Sequence, residues 1–243
     1  MNARSAILIT AAPIARGAAT LVLSFACATI ALCGPIHDAT RKGDEAKVIA
    51  LLKQNPDLVS SRDRLGNTPL HIAALHDQPA IAALLIANGA DVNAQNDPQG
   101  VDVSRITSIN KNAHGDTPLT LAMLSYHHKE MIELLLTHGA DPNVSDPHGT
   151  PLQLAIERNL PHDVELLLAN GADPDVTAVI WAIVHGKTQI LELLLDYGAN
   201  PNAKDGGGHT PMYYAQNAYH SYYGETSSNE KAIALLKAHG GHL

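Results

Sequence analysis

The chain has 243 residues, 45% of them hydrophobic but only 4% aromatic and 16% charged, and its 16 Lys and Arg against 24 Asp and Glu give a net charge of −8. That balance lacks the basic footprint a general nucleic-acid binder needs, and the apolar fraction excludes wholesale disorder. One Trp and one Phe leave a core of Leu, Ala and Ile, which suits closely packed helices better than a β-sandwich.

Residues 1–33 are a different material from the rest. Their only charged residues are Arg4 and Arg16, and the stretch from Gly17 to Gly34, GAATLVLSFACATIALCG, is uncharged and mostly apolar. Its apolar core has the length of a signal-peptide h-region and is short for a membrane span. Ala26-Cys27-Ala28 fits the small-x-small cleavage rule, and Ala31-Leu32-Cys33 fits it less well. The expectation is a secretory signal removed between Ala28 and Gly34, with an uncleaved N-terminal membrane anchor as the alternative. Both cysteines, Cys27 and Cys33, lie inside this segment, so the mature chain would carry no disulfide and no thiolate chemistry. Each fits the lipidation signal of a bacterial lipoprotein poorly, Cys33 following Leu32 and Cys27 having Ser24 at the Leu position. The membrane enters only through an uncleaved or lipidated N-terminus.

From Gly34 onward the chain repeats. GNTPLHIAAL from Gly66, GDTPLTLAML from Gly115, HGTPLQLAIE from His148 and GHTPMYYAQN from Gly208 align. Each is followed by a Leu-rich stretch ending in Gly. A degenerate copy starts at Thr177 and an earlier one opens at Gly34. Thr68 to Gly89, Thr150 to Gly171 and Thr177 to Gly198 each span 21 positions, and Thr117 to Gly139 spans 22. Thr68, Thr117, Thr150 and Thr210 stand at helix N-caps, each followed by Pro at N1 (Pro69, Pro118, Pro151, Pro211). Leu70, Leu119, Leu152 and Met212 enter the core, with Ala73, Ala122, Ala155 and Ala215 where helices approach closely. The second helices present Leu84-Leu85, Leu134-Leu135, Leu166-Leu167, Leu193-Leu194 and Leu235-Leu236 to the stack. Gly89, Gly139, Gly171, Gly198 and Gly240 end them in the left-handed conformation. Asp91 and Asn93, Asp141 and Asn143, Asp173 and Asp175, and Asn200 and Asn202 read as turn formers.

These residues resemble the ankyrin-repeat family, whose pattern is G-x-T-P-L-H-x-A-A followed by V-x-x-L-L-L-x-x-G-A-D-x-N. The resemblance implies an all-α solenoid of about six helix–turn–helix repeats with β-turn fingers. The expected repeats cover 34–62, 63–95, 112–145, 146–175, 176–204 and 205–243, with a finger insertion at 96–111. It implies too that His71, in the family's T-P-L-H position, braces adjacent repeats, and that the surface binds another protein.

Departures from the pattern mark candidate binding surfaces. Gly89 to Thr117 spans 28 positions where the Gly198-to-Thr210 link takes 12, so Asp97, Gln99, Asp102, Arg105, Asn110, Lys111 and His114 sit on a lengthened finger. The finger from Gly171 to Thr177 is short, at 6 positions. Just after it, Trp181 aligns with Ile72, Leu121 and Leu154 and is expected to fill the core. In the last repeat Tyr219, Tyr222 and Tyr223 either cap the open end of the stack or contact a partner, whereas Tyr214 aligns with a core position. No H-E-x-x-H, G-x-S-x-G, Walker loop or dinucleotide fingerprint occurs. Carboxylates such as Glu133, Glu165 and Glu192 recur at one repeat position, as on a solvated helix face. The expectation is therefore an exported, periplasmic or secreted, non-enzymatic protein that needs no cofactor and binds and modulates another protein. The alternatives are an effector acting on host proteins and, less well supported, a metal-dependent enzyme built from scattered His.

Overall fold

The third, fourth and fifth helix pairs begin where the sequence supplies a side-chain cap. In the computed structural model, which describes residues 34–96, 115–125, 129–145, 149–217 and 226–242, the described residues form twelve α-helices and no β-strand. They pair in chain order: α1 (Pro35–Arg41) with α2 (Glu45–Gln54), α3 (Pro69–Leu75) with α4 (Pro79–Ala87), α5 (Pro118–Leu124) with α6 (Lys129–Thr137), α7 (Pro151–Glu157) with α8 (Pro161–Ala169), α9 (Val176–Val184) with α10 (Thr188–Asp196), and α11 (Pro211–Asn217) with α12 (Thr226–Ala238). No helix among the described residues is long and apolar enough to cross a membrane.

The caps are reciprocal. Thr117 Oγ1 accepts the Thr120 N–H (3.2 Å), and Thr120 Oγ1 accepts the Thr117 N–H (2.8 Å). Thr150 and Gln153 repeat the exchange at 3.2 and 3.1 Å. Each exchange satisfies two of the N–H groups that a helix start leaves unpaired. The degenerate fifth copy solves the same problem differently. Its N-cap is Asp175, which accepts the Ala178 N–H at 2.7 Å, so α9 starts ahead of Thr177. At the other end, Gly139 has φ 85° and the Ala140 N–H returns to Leu135 O (3.0 Å), the turn that frees the chain from α6.

One helix pair cannot bury its own apolar face, so the pairs stack. First helices pack on first helices (α1 on α3, α3 on α5, α5 on α7, α7 on α9, α9 on α11), and second helices pack likewise. Leu70, Leu119, Leu152 and Met212 are buried in the first layer, and the four Ala at the close approaches are buried beside them. Of each Leu pair on the second helices the later member is fully buried (Leu85, Leu135, Leu167, Leu194, Leu236) and the earlier is half-buried.

The turn inside each pair calls for a left-handed residue. Gly43 and Gly186 supply it in the first and fifth pairs, while Asp77 (φ 51°) and Asn159 (φ 57°) hold it in the second and fourth. An L residue pays for that conformation with a clash between Cβ and backbone. Asp77→Gly and Asn159→Gly are each expected to raise the unfolding free energy in urea titration by about 0.5–1 kcal/mol net, after the greater freedom Gly gains in the unfolded chain is subtracted.

Candidate protein-binding surface

The fingers are small Asx-closed loops. In the second pair's finger Asp63 Oδ1 accepts the N–H groups of Leu65 and Asn67 (2.9 Å each), and the Asp63 N–H donates to Asn67 O. In the sixth pair's finger Asp205 makes the same bonds to Gly207 and His209. Two residues form the tip in each case, between Asp63 and Gly66 and between Asp205 and Gly208. Asn96 occupies the Asp position in the third pair's finger and Gly115 the Gly position. The Asn96 N–H donates to Asp116 O (2.9 Å), the Gly115 N–H donates to Asn96 O (2.8 Å), and Asn96 Oδ1 accepts the Asp116 N–H (2.8 Å). Residues 97–114 thus replace a two-residue tip on an otherwise ordinary, closed neck. The expected insertion at 96–111 falls, apart from Asn96, outside the described residues.

That neck is built into the stack. Asn96 and Asp116 are 3% and 1% exposed, and Asn96 Nδ2 donates to Asn67 Oδ1 (3.1 Å) in the preceding finger. His71 braces the next repeat as expected: its Nδ1 faces the main-chain N–H and the hydroxyl of Thr68 (3.1 and 2.8 Å), and Nε2 bonds to Asp116 O (3.0 Å). An acceptor at Nδ1 leaves the proton on Nε2, so the imidazole is neutral and donates across the repeat boundary. Burial holds its pKa down at about 4. His37 is the unforeseen counterpart one repeat earlier. Its Nε2 bonds to Asn67 O at 3.0 Å, and burial lowers its pKa too.

A second ladder runs along the opposite ends of the fingers, through residues read from the sequence as turn formers. Asp91, Asp141 and Asn200 do close local turns. Asn93 and Asn143 reach further, and each clamps the next repeat twice. Asn93 Nδ2 donates to Gly139 O (3.0 Å) and Asn93 Oδ1 accepts the Asp141 N–H (2.8 Å); Asn143 does the same to Gly171 and Asp173, at 2.9 and 2.8 Å. Asn202 clamps Gly240 and His242 in the last pair. Between the fourth and fifth pairs the ladder breaks, because the residue in the Asn position is Asp175 and it caps α9 instead. The recurrence of Asn at a fixed offset after each Gly, with Asp175 as the exception, was the available signal for both the clamp and its break.

The first-helix face carries further cross-repeat bonds and exposed apolar groups. The Arg158 guanidinium donates to Met123 O and Leu124 O of the preceding pair, while Arg62 Nη1 joins Gly66 O and Gln95 O (2.8 and 2.7 Å) between neighbouring fingers. Trp181 does not fill the core. It is 37% exposed, whereas Ile72, Leu121 and Leu154 at the equivalent places are buried, and its ring stacks on His185 (4.8 Å, 18°). The indole is larger than the Ile or Leu that the place holds elsewhere, and the shortened finger runs directly into α9. Tyr214 is half-buried against the core as expected, and its hydroxyl also donates to Asp205 Oδ2 at 2.5 Å, which lowers the Asp205 pKa and raises its own. Tyr213, 42% exposed, stacks on His209 (4.0 Å, 25°).

The sequence candidates Asp97, Gln99, Asp102, Arg105, Asn110, Lys111, His114, Tyr219, Tyr222 and Tyr223 all lie outside the described residues. Among the described residues no group of three or more His, Cys, Asp or Glu is arranged to hold a metal ion. The described arrangement offers main-chain turns, amides, carboxylates and a few exposed rings, groups suited to recognition of a protein surface.

A family model of ankyrin repeats matches in three copies, at residues 14–96, 100–178 and 152–224. The chain is 29% identical over 195 residues to Inversin of Mus musculus and 28% identical over 196 residues to Palmitoyltransferase AKR1 of Lachancea kluyveri. These matches cover 76% and 75% of this chain but only 17% and 24% of those proteins. Among solved structures it is similar to an ankyrin repeat domain from Acinetobacter baumannii (30% identity, TM-score 0.67, 86% of this chain and 98% of that one). It also matches the fold of a chain in the complex of a predatory endopeptidase from Bdellovibrio bacteriovorus with an immunity protein (21% identity, TM-score 0.59, 86% and 99%).

Proposed function

Because the chain belongs to the ankyrin-repeat family, a family of protein–protein interaction scaffolds, we propose that it is an exported protein that binds one partner protein and modulates it without chemistry of its own. The observation that carries this reading is the neck. Asn96, Asp116, Asn67 and His71 commit buried hydrogen bonds to the neck from which residues 97–114 depart and to which they return. The finger at Asp63, with its two-residue tip, is mounted by the same kind of bonds, so the insert changes the tip and keeps the rigid mounting. Rigid mounting spares a binding segment part of the ordering cost of association. Export is supported by residues 1–33, with Arg4 and Arg16 ahead of an uncharged apolar run and small residues at 26–28. The Bdellovibrio complex joins an endopeptidase and an immunity protein. Restraint of an enzyme in the same compartment is the kind of modulation we propose here.

Replacing residues 97–114 with Gly-Gly, the tip that the chain itself uses at 206–207, tests the reading. Helical circular dichroism and the thermal midpoint should stay within about 3 °C of the parent, since the neck bonds remain. Capture of the partner from the cell-envelope fraction should fall at least about tenfold. Undiminished capture by the Gly-Gly variant overturns the assignment of the insert, and a full-length chain found only in the cytoplasm overturns export.

A further inference from the structure

We infer that the gap left by the missing finger between the fourth and fifth helix pairs is a receptor for a basic β-turn loop of the partner protein, which supplies in trans the finger this repeat lacks. The inference rests on the binding role proposed above and assigns it a second contact point. A cavity of about 270 Å³ lies where the clamp ladder breaks, lined by Asn143, Thr150, Gln153, Asp173, Asp175 and Ala178 among others. Its polar groups are those a finger would engage. His37 and His71, three residues into their helices, donate Nε2–H to the carbonyl just ahead of the next N-cap. Thr120 is too short to cross and donates to Thr117 O. Gln153 holds the same place in α7 and is long enough. Its Oε1 is taken by the Thr150 N–H, which fixes the amide orientation and leaves Nε2 as a donor with no acceptor among the described residues. An incoming main-chain carbonyl satisfies it.

Charge selects the loop. Asp173 and Asp175 line the gap, and among the described residues no Lys or Arg does. The Asp173 carboxylate is exposed and makes no hydrogen bond among the described residues, while Asp175 spends one oxygen on the Ala178 N–H. The chain already shows the complementary device, since Arg62 ties its own finger to the next by donating to Gly66 O and Gln95 O. Trp181 follows cavity-lining Ala178 by one helical step of three, on the same face of α9, and its part-exposed ring offers a surface on which a guanidinium or an apolar loop residue stacks. An Arg-bearing turn therefore meets two carboxylates, one amide donor and one indole, and the complex buries groups that the free chain leaves open.

The test uses a cyclised peptide with the sequence of residues 61–68, SRDRLGNT, as the basic turn, titrated into the ¹⁵N-labelled full chain. The expected result is saturable shifts at the Gln153 side-chain amide and at Asp173 and Ala178, with a Kd of about 1 mM or below. Asp173→Lys should weaken binding at least about fivefold. That variant keeps the Asn143 clamp, which uses the main-chain N–H of Asp173, and Asp173→Asn serves as a milder second substitution. A peptide with both Arg replaced by Glu should give no shift. Absent shifts, shifts of equal size with the Glu peptide, or binding unchanged in both Asp173 variants each overturn the inference. Capture of the partner by the same chain separates the two readings, because a null titration beside intact capture removes the gap and leaves the binding role standing.

Discussion

Between pH 7 and pH 4 the unfolding free energy of this protein is expected to fall by about 3 kcal/mol on account of His71 alone, the worth of a pKa held at about 4 in the fold against 6.5 in the free residue. Above about pH 6.5 the imidazole is neutral in both states and the full stability is present. As the pH drops from 6.5 toward 4, the unfolded chain takes up a proton that the folded chain refuses, so stability is lost through that window. Below 4 both states carry the proton and the loss is complete. The refusal has a geometric cause, since a proton on Nδ1 would face the Thr68 N–H in a fully buried site, while Nε2 already donates to Asp116 O. His37 shifts in the same direction and adds to the loss. Urea titration at pH 7, 6, 5 and 4 measures the effect. His71→Gln is the control, because Gln153 makes the same reciprocal cap without titrating. This variant should lose roughly 1 kcal/mol at pH 7, about the net worth of one hydrogen bond, and show a flatter pH profile. A His71→Gln profile as steep as that of the parent would assign the acid sensitivity elsewhere.

The second large effect separates two adjacent leucines. Leu135→Ala should cost about 3–4 kcal/mol and Leu134→Ala about 1 kcal/mol, because Leu135 is sealed in the second layer and truncation leaves a cavity, whereas Leu134 is half-buried and gives up part of its burial to solvent. Equilibrium unfolding of the two single variants measures this. Equal losses would contradict the packing described for α6. The same contrast is expected at Leu166 and Leu167, where the later residue is again fully buried.

Much of this architecture is legible without coordinates, for a definable reason. Thr68-Pro69, Thr117-Pro118 and Thr150-Pro151 start helices through contacts within four residues, so their meaning travels with the local sequence. The left-handed Gly residues after the second helices are equally local. The 16 extra positions before Thr117 are visible by counting, and so is the shortfall before Thr177. His71 became legible only through the family resemblance, since spacing alone does not say where an imidazole points. His37, at the same place in a weaker copy, passed unnoticed. Asn93 and Asn143 were assigned to turns because Asn usually makes them; their actual partners lie 46 and 48 residues away for Asn93, and 28 and 30 for Asn143.

Trp181 shows the limit of alignment. Its register is that of Ile72, yet burial at that register depends on the neighbouring finger and on the size of the side chain, and both differ in the fifth pair. The sequence by itself determined the helix pairs, their caps, their stacking order and the site of the long finger, because each follows from short-range hydrogen bonding repeated at a fixed period. Only the tertiary structure decided which leucine of a pair is sealed, which asparagines clamp, how the neck at Asn96 and Gly115 is held, and that a lined gap opens beside Asp175. Those features are made between repeats, where the geometry of one unit sets what its neighbour can bury or must leave open.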